Sequence, residues 1–79
     1  DVYKRQIWKY WYEGGELQIE LTTSDGENDG KYTQWHSNGK KEKEGYFVKG
    51  IKNGTWFYWI ISGKLEKTET YKNGVLTSE

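Results

Sequence analysis

Apolar and aromatic residues do not follow a helical period in this chain. They come in short runs, and each run ends at glycine. No segment keeps a 3.6-residue apolar spacing for three turns, which argues against amphipathic helices. Shifted by 24 positions, the sequence falls onto itself without a gap, in copies at 7–30, 31–54 and 55–79. Trp11, Trp35 and Trp59 coincide. So do Gly15, Gly39 and Gly63, and so do Gly26, Gly50 and Gly74. Trp8, Tyr32 and Trp56 supply a fourth, aromatic, position. A fixed period of this length marks a repeat architecture, each copy being one supersecondary unit.

Each copy reads as a β-hairpin. The first strand is about seven residues and ends before Gly14-Gly15, Asn38-Gly39 or Ser62-Gly63. Such dipeptides accept the positive φ of a two-residue type I′ turn, which is therefore expected there. Second strands are expected at 16–22, 40–48 and 64–72. Longer glycine-bounded turns should follow at 26–30 and 50–54, with the chain ending in the same kind of turn. The predicted fold is all-β: one domain over 1–79, an open single-layer antiparallel meander of six strands.

Turn type sets register, and register sets which side chains share a face. Two-residue turns place Trp11 opposite Gln18, Trp35 opposite Glu42 and Trp59 opposite Glu66. These residues, with Tyr46, share one face. Neighbouring strands lie roughly 4.8 Å apart, so a repeat position recurs about every 9.6 Å and the tryptophans form a ladder. The opposite face carries Trp8, Tyr10, Tyr12, Leu17, Ile19 and Leu21 from copy one. Copy three adds Trp56, Tyr58, Ile60 and Leu65. Copy two is wet there, with Tyr32, Gln34, His36, Lys41 and Lys43.

The composition of five Trp, seven Tyr and two Phe separates the chain from disordered segments, which are poor in aromatics. Twelve basic residues balance twelve acidic ones, so no basic field recruits nucleic acid or an anionic membrane. No apolar run reaches the roughly 18 residues of a membrane-spanning helix. With no cysteine and one histidine, neither a disulfide nor an ordinary zinc site is expected, and no cofactor. The chain opens on Asp1, as a processed product, an excised piece or a partial sequence would. An extracellular or envelope location follows if an export signal was removed, and a cytoplasmic one otherwise.

The segments Trp35–Lys40 (WHSNGK), Trp59–Lys64 (WIISGK) and Tyr71-Lys72-Asn73-Gly74 resemble the MORN repeat variant, in a bacterial group of the YwqK type that includes antitoxins. The resemblance covers nearly the whole chain and is weakest over 1–6. Copy one departs from it, with Gly14-Gly15-Glu16 in place of Asn-Gly-Lys. The resemblance implies an elongated twisted β-sheet used for binding and oligomerisation. It brings no catalytic residues.

Candidate chemistry is sparse. His36 would need a nucleophile and an orienting acid to act as a base, and its neighbour Ser37 should face the other way. It reads as a strand residue on the wet face. Asp25–Gly30 has the oxygens of a calcium loop but not its spacing: the twelfth position is His36, not a bidentate acid. The pairs Glu42/Glu44 and Glu66/Glu69 lack the cleft that glycosidase acids need. Lys40, Lys41 and Lys43 are interleaved with Glu42 and Glu44, which argues against a nucleic-acid groove.

What remains is aromatic surface. Trp8, Tyr10, Trp11, Tyr12, Trp35, Trp56, Tyr58 and Trp59 are the candidate interaction residues, since large apolar patches mark contact sites and Trp and Tyr dominate binding hot spots. The expected function is a non-enzymatic interaction module, self-associating as a homo-oligomer through open edge strands and aromatic faces. An antitoxin-type protein partner and a glycan stacked on the tryptophans are the alternatives.

Overall fold

The computed structural model describes residues 5–78. They form a single antiparallel sheet of seven strands in sequence order. β1 (Arg5–Trp11), β2 (Leu17–Ser24), β3 (Glu27–Trp35), β4 (Lys41–Val48), β5 (Ile51–Trp59), β6 (Leu65–Lys72) and β7 (Val75–Ser78) make a slab of 39 × 33 × 11 Å. The strand count exceeds the expected six. Val75–Ser78, expected in a turn, pairs with β6. Residues 27–30 and 51–54, also expected in turns, open β3 and β5.

The two kinds of turn exchange places relative to the sequence expectation. The two-residue type I′ turns join β2 to β3, β4 to β5 and β6 to β7. Asp25, Lys49 and Asn73 have φ of 54°, 51° and 52°, and Gly26, Gly50 and Gly74 follow at 85°, 83° and 85°. Positive φ at both central residues defines this turn, and its twist matches that of the flanking strands. In the loops inside the hairpins only Gly15, Gly39 and Gly63 are left-handed. Gly15 donates its N–H to the Tyr12 carbonyl at 2.9 Å, and Tyr12 donates to the Glu16 carbonyl at 2.7 Å. His36, Gly39 and Lys40 repeat the pattern, as do Ile60, Gly63 and Lys64. These are three-residue loops with a left-handed glycine at the end. Asn38, expected to take positive φ, instead accepts the Lys40 N–H on its side-chain oxygen at 3.0 Å, a local bond typical of asparagine in turns.

The added loop residue is absorbed by a bulge in each hairpin. Trp11 pairs with Leu17, Trp35 with Lys41 and Trp59 with Leu65, so the expected pairings with Gln18, Glu42 and Glu66 do not form. One pair further on the expected register returns, with Tyr10 opposite Ile19, Gln34 opposite Lys43 and Tyr58 opposite Lys67. A bulge sets two residues against one, and this changes the faces. Leu17, Lys41 and Leu65 join the Trp11/Trp35/Trp59 face. Glu42 moves to the other, where Gln34 donates to it at 3.1 Å.

The core is one residue deep. Trp56 is 1% exposed and is the only buried large apolar side chain among the described residues. Phe47 meets it edge-on at 5.1 Å, and Tyr32 lies 5.7 Å away. Its indole N–H donates to the Tyr46 carbonyl at 3.1 Å. The ring lies against Gly45, where a Cβ would overlap it. Lys52 covers the ring with its ammonium 5.0 Å from the centroid. Burying one indole removes roughly 150–250 Å² from water, a large share of what a single layer can hide.

Candidate functional site

The eight aromatic candidates divide between the two faces. Trp11 is 58% exposed on the tryptophan-ladder face, with Trp35 and Trp59 half-buried beside it. On the other face Trp8 and Tyr10 are 47% and 50% exposed, and Tyr58 is half-buried. Trp56 is removed from the candidate surface, because its burial leaves nothing for a partner to touch. The sequence could not separate Trp56 from Trp8, which share a repeat position. The difference lies in what each ring meets: Trp56 has Gly45 beneath it, whereas Trp8 pairs with Leu21 and donates its indole N–H to Thr23 at 3.0 Å.

Tyr12 has a structural task. Its hydroxyl donates to the Trp35 carbonyl at 2.7 Å. His36, one repeat later, places Nε2 3.1 Å from the Trp59 carbonyl. Both side chains tie one hairpin loop to the next. Asn38 adds a tie by donating to the Ile61 carbonyl at 2.8 Å.

On the ladder face a second row runs beside the tryptophans: Lys9, Glu20, Thr33, Glu44, Phe57 and Thr68, each paired with the next across the strands. A shallow hollow of about 270 Å³ opens over Glu20, Thr33 and Glu44, bounded by Ile7, Trp35 and Lys41. Glu44 is its electrostatic centre, 3.0 Å from the Lys31 ammonium and 3.2 Å from that of Lys41. Partial burial pushes the Glu44 carboxyl up, but the two ammonium hydrogen bonds outweigh it and hold the group below its ordinary value. The same hydrogen bond holds Lys31 above its ordinary value. Lys41 also stands 5.9 Å from the Trp59 ring, and Phe57 stacks on Trp59 at 6.0 Å and 20°.

The other face centres on Glu69. Tyr71 donates to its carboxylate at 2.7 Å, and the Lys67 ammonium lies 3.4 Å away. The Tyr71 hydrogen bond, with those of Tyr58 and Lys67, lowers the Glu69 pKa. Burial, with the adjacent Glu69, raises that of Tyr58. Tyr32 is raised by burial and by Glu42. The Glu44 and Glu69 clusters were not legible in the sequence, where these acids stood out only as members of carboxylate pairs and, for Glu44, of a mixed charge run. Glu69 lies one position beyond the repeat equivalent of Glu44, and each acid draws partners both from its own strand (Lys41; Lys67 and Tyr71) and from the preceding one (Lys31; Tyr58).

Among the described residues no group of three His, Asp or Glu is placed to hold a metal. Among the same residues no helix is long and apolar enough to cross a membrane.

Fold and surface together define a β-hairpin repeat protein with a one-layer sheet and two unlike faces. The family model for the MORN repeat variant matches residues 7–25, 28–49 and 52–73, and the chain belongs to that family. The module is generally a protein-interaction repeat and typically non-catalytic, and no enzyme family matches. No curated protein and no solved structure matches the chain.

Proposed function

We propose that this chain is a self-associating interaction module, a subunit of a multimer or filament joined edge to edge. The supporting observation is the relation between its outermost described strands. By the 24-residue period, β1 (5–11) corresponds to 29–35 of β3, and β7 (75–78) corresponds to 51–54 of β5. They are the late and early parts of the same strand position. β7 pairs with Thr70, Tyr71 and Lys72, which leaves the outer edge of 65–69 unpaired among the described residues. The β1 of a second copy fits that edge in the register of the repeat, with Tyr10 opposite Lys67 and Lys9 opposite Thr68. Tyr58 and Phe57 pair with Lys43 and Glu44 in the same way inside the chain. Main-chain hydrogen bonds supply affinity in such strand addition, and the exposed Trp8 and Trp11 come to lie against the neighbouring copy. The early part of β1 overlaps the end of β7 by two positions, so one of these short segments gives way. A head-to-tail contact of this kind grows into a filament unless its rotation closes a ring.

Molar mass by light scattering across a concentration series tests the reading. Growth with concentration supports it. A concentration-independent monomer overturns it and turns the search to a foreign protein partner, as an antitoxin-type module would have.

A second reading has one observation in its favour. Trp11, Trp35 and Trp59 flank a row of hydroxyl and carboxylate acceptors on one face, the pairing of stacking surface and hydrogen-bond acceptor that a sugar chain requires. Glycan-dependent quenching or shifting of tryptophan fluorescence supports it, and an unchanged spectrum overturns it.

A further inference from the structure

Three Asn-Gly pairs occur in the chain: Asn38-Gly39, Asn53-Gly54 and Asn73-Gly74. Glycine has no Cβ to shield its main-chain nitrogen from the preceding side chain. The fold restrains the three pairs very differently. The Asn38 amide is pinned at both ends: it donates to the Ile61 carbonyl at 2.8 Å and accepts from the Lys40 N–H at 3.0 Å. Asn53 is half-buried within β5, opposite Tyr46, and its neighbour Gly54 is paired with Tyr71 on the next strand. Asn73 is exposed, left-handed at φ 52°, and its side chain has no hydrogen-bond partner among the described residues. The hairpin it turns is also the weakest. β7 has four residues and makes three pairs with β6, fewer than any other neighbouring strands. Short, exposed hairpins open most readily.

We propose that Asn73 is a site of spontaneous succinimide formation. The Gly74 main-chain nitrogen gives up its proton to water or hydroxide and attacks Cγ of Asn73. The N–Cγ bond forms as the Cγ–Nδ2 bond breaks, and Nδ2 takes up a proton and leaves as ammonia. Water then opens the ring. Addition at Cγ yields aspartate; addition at the main-chain carbonyl yields isoaspartate, with the backbone routed through the former side chain. No oxidant, metal or cofactor enters the balance. In the closed hairpin the Gly74 N–H is held by the Lys52 carbonyl at 3.0 Å, so the reaction proceeds from the opened form.

The two products have different fates, and the chain itself shows why. Asp25 occupies the same turn position one pair of repeats earlier, at φ 54° and followed by Gly26 at 85°. Aspartate at 73 therefore keeps the type I′ turn. Isoaspartate lengthens the backbone inside a two-residue turn, which such a turn cannot absorb without losing register, and β7 is released. Either product adds a negative charge to a chain whose twelve basic and twelve acidic residues cancel.

The experiment is incubation of the full chain at mildly alkaline pH, with peptide mass mapping and chromatographic separation of aspartate from isoaspartate. A parallel incubation in urea removes the fold. Asn73 should be modified first, about tenfold or more faster than Asn38, the factor imposed by the two hydrogen bonds on the Asn38 amide at ordinary net strength. In urea the three sites should react at similar rates. Equal rates in the folded chain, or earlier modification at Asn38 or Asn53, overturn the proposal. So does an intact Asn73 in a folded chain whose urea control reacts. Asn73→Gln should abolish the leading modified peptide, and Asn73→Asp should retain the native circular dichroism spectrum.

Discussion

The Tyr12 hydroxyl and the Trp35 carbonyl, 23 positions apart, lie 2.7 Å from each other. His36 and the Trp59 carbonyl stand in the same relation at 3.1 Å. Two different side chains thus perform one task at one repeat position, tying each hairpin loop to the strand end of the next hairpin. Copy three has Ile60 there, which has no donor to offer.

Substitutions at this tie should therefore follow donor chemistry. His36→Ala and Tyr12→Phe should each destabilise the fold by about 1 kcal/mol, the net worth of a part-buried hydrogen bond. His36→Tyr should retain the tie and cost less than His36→Ala. Urea unfolding followed by tryptophan fluorescence checks the order. Equal losses for both His36 variants would mean that the contact contributes packing alone.

Gly45 and Trp56 form the second sensitive pair. Gly45→Ala inserts a methyl where the indole lies, an overpacking worth about 1–3 kcal/mol. Trp56→Ala empties the core and should cost about 3–5 kcal/mol. Trp8→Ala, at the same repeat position but 47% exposed, should cost far less. Near-ultraviolet circular dichroism and thermal melting distinguish the three.

Stability should fall at both ends of the pH range. Glu44 and Glu69 are held below the ordinary carboxylate value of 4.5 in the folded chain. Above that value both are charged whether folded or not, and their stabilisation is fully present. As pH drops below it, the unfolded chain takes up protons first, and the stabilisation is lost through the lowered folded values. Tyr58 is raised above its ordinary 10, so its contribution is complete below pH 10 and is lost as pH climbs beyond. Urea midpoints measured from pH 3 to pH 11 should trace both declines. Glu44→Gln should flatten the acid limb.

Lys49 offers a stabilising change. It holds φ 51° in the turn where copy three has Asn73 at 52°. Left-handed backbone disfavours lysine and suits asparagine, whose side chain bonds locally. Lys49→Asn should stabilise the fold by about 0.5–1 kcal/mol, read as a rise in Tm. No change would show that the turn is already unstrained.

The period, the β-hairpin unit and the open meander were legible because Trp11, Trp35, Trp59 and three sets of glycines recur without a gap. The turn chemistry was not. Asn38-Gly39 carries the type I′ signal but sits in a three-residue loop, while Lys49-Gly50 carries no such signal and makes the turn. A repeat forces all its copies into one geometry, so the tightest turn is set by strand pairing on either side and not by the dipeptide in any single copy. The bulges at 18, 42 and 66 were likewise invisible, because their effect on register cancels that of the longer loops one pair later. Burial of Trp56 depended on Gly45, a residue where copy one has Leu21 and copy three Glu69. It is a departure from the repeat, which periodicity by nature discards.

Every strand in this sheet pairs only with its neighbours in sequence. No segment has to wait for a distant partner before it can form hydrogen bonds. Sandwiches and barrels fold slowly because they must close long loops first, and that delay is absent here. Folding can start at any hairpin and spread outward, so refolding should be fast for a protein made wholly of strands. The stacking order that denies the chain a deep interior also gives it a short route to the native state.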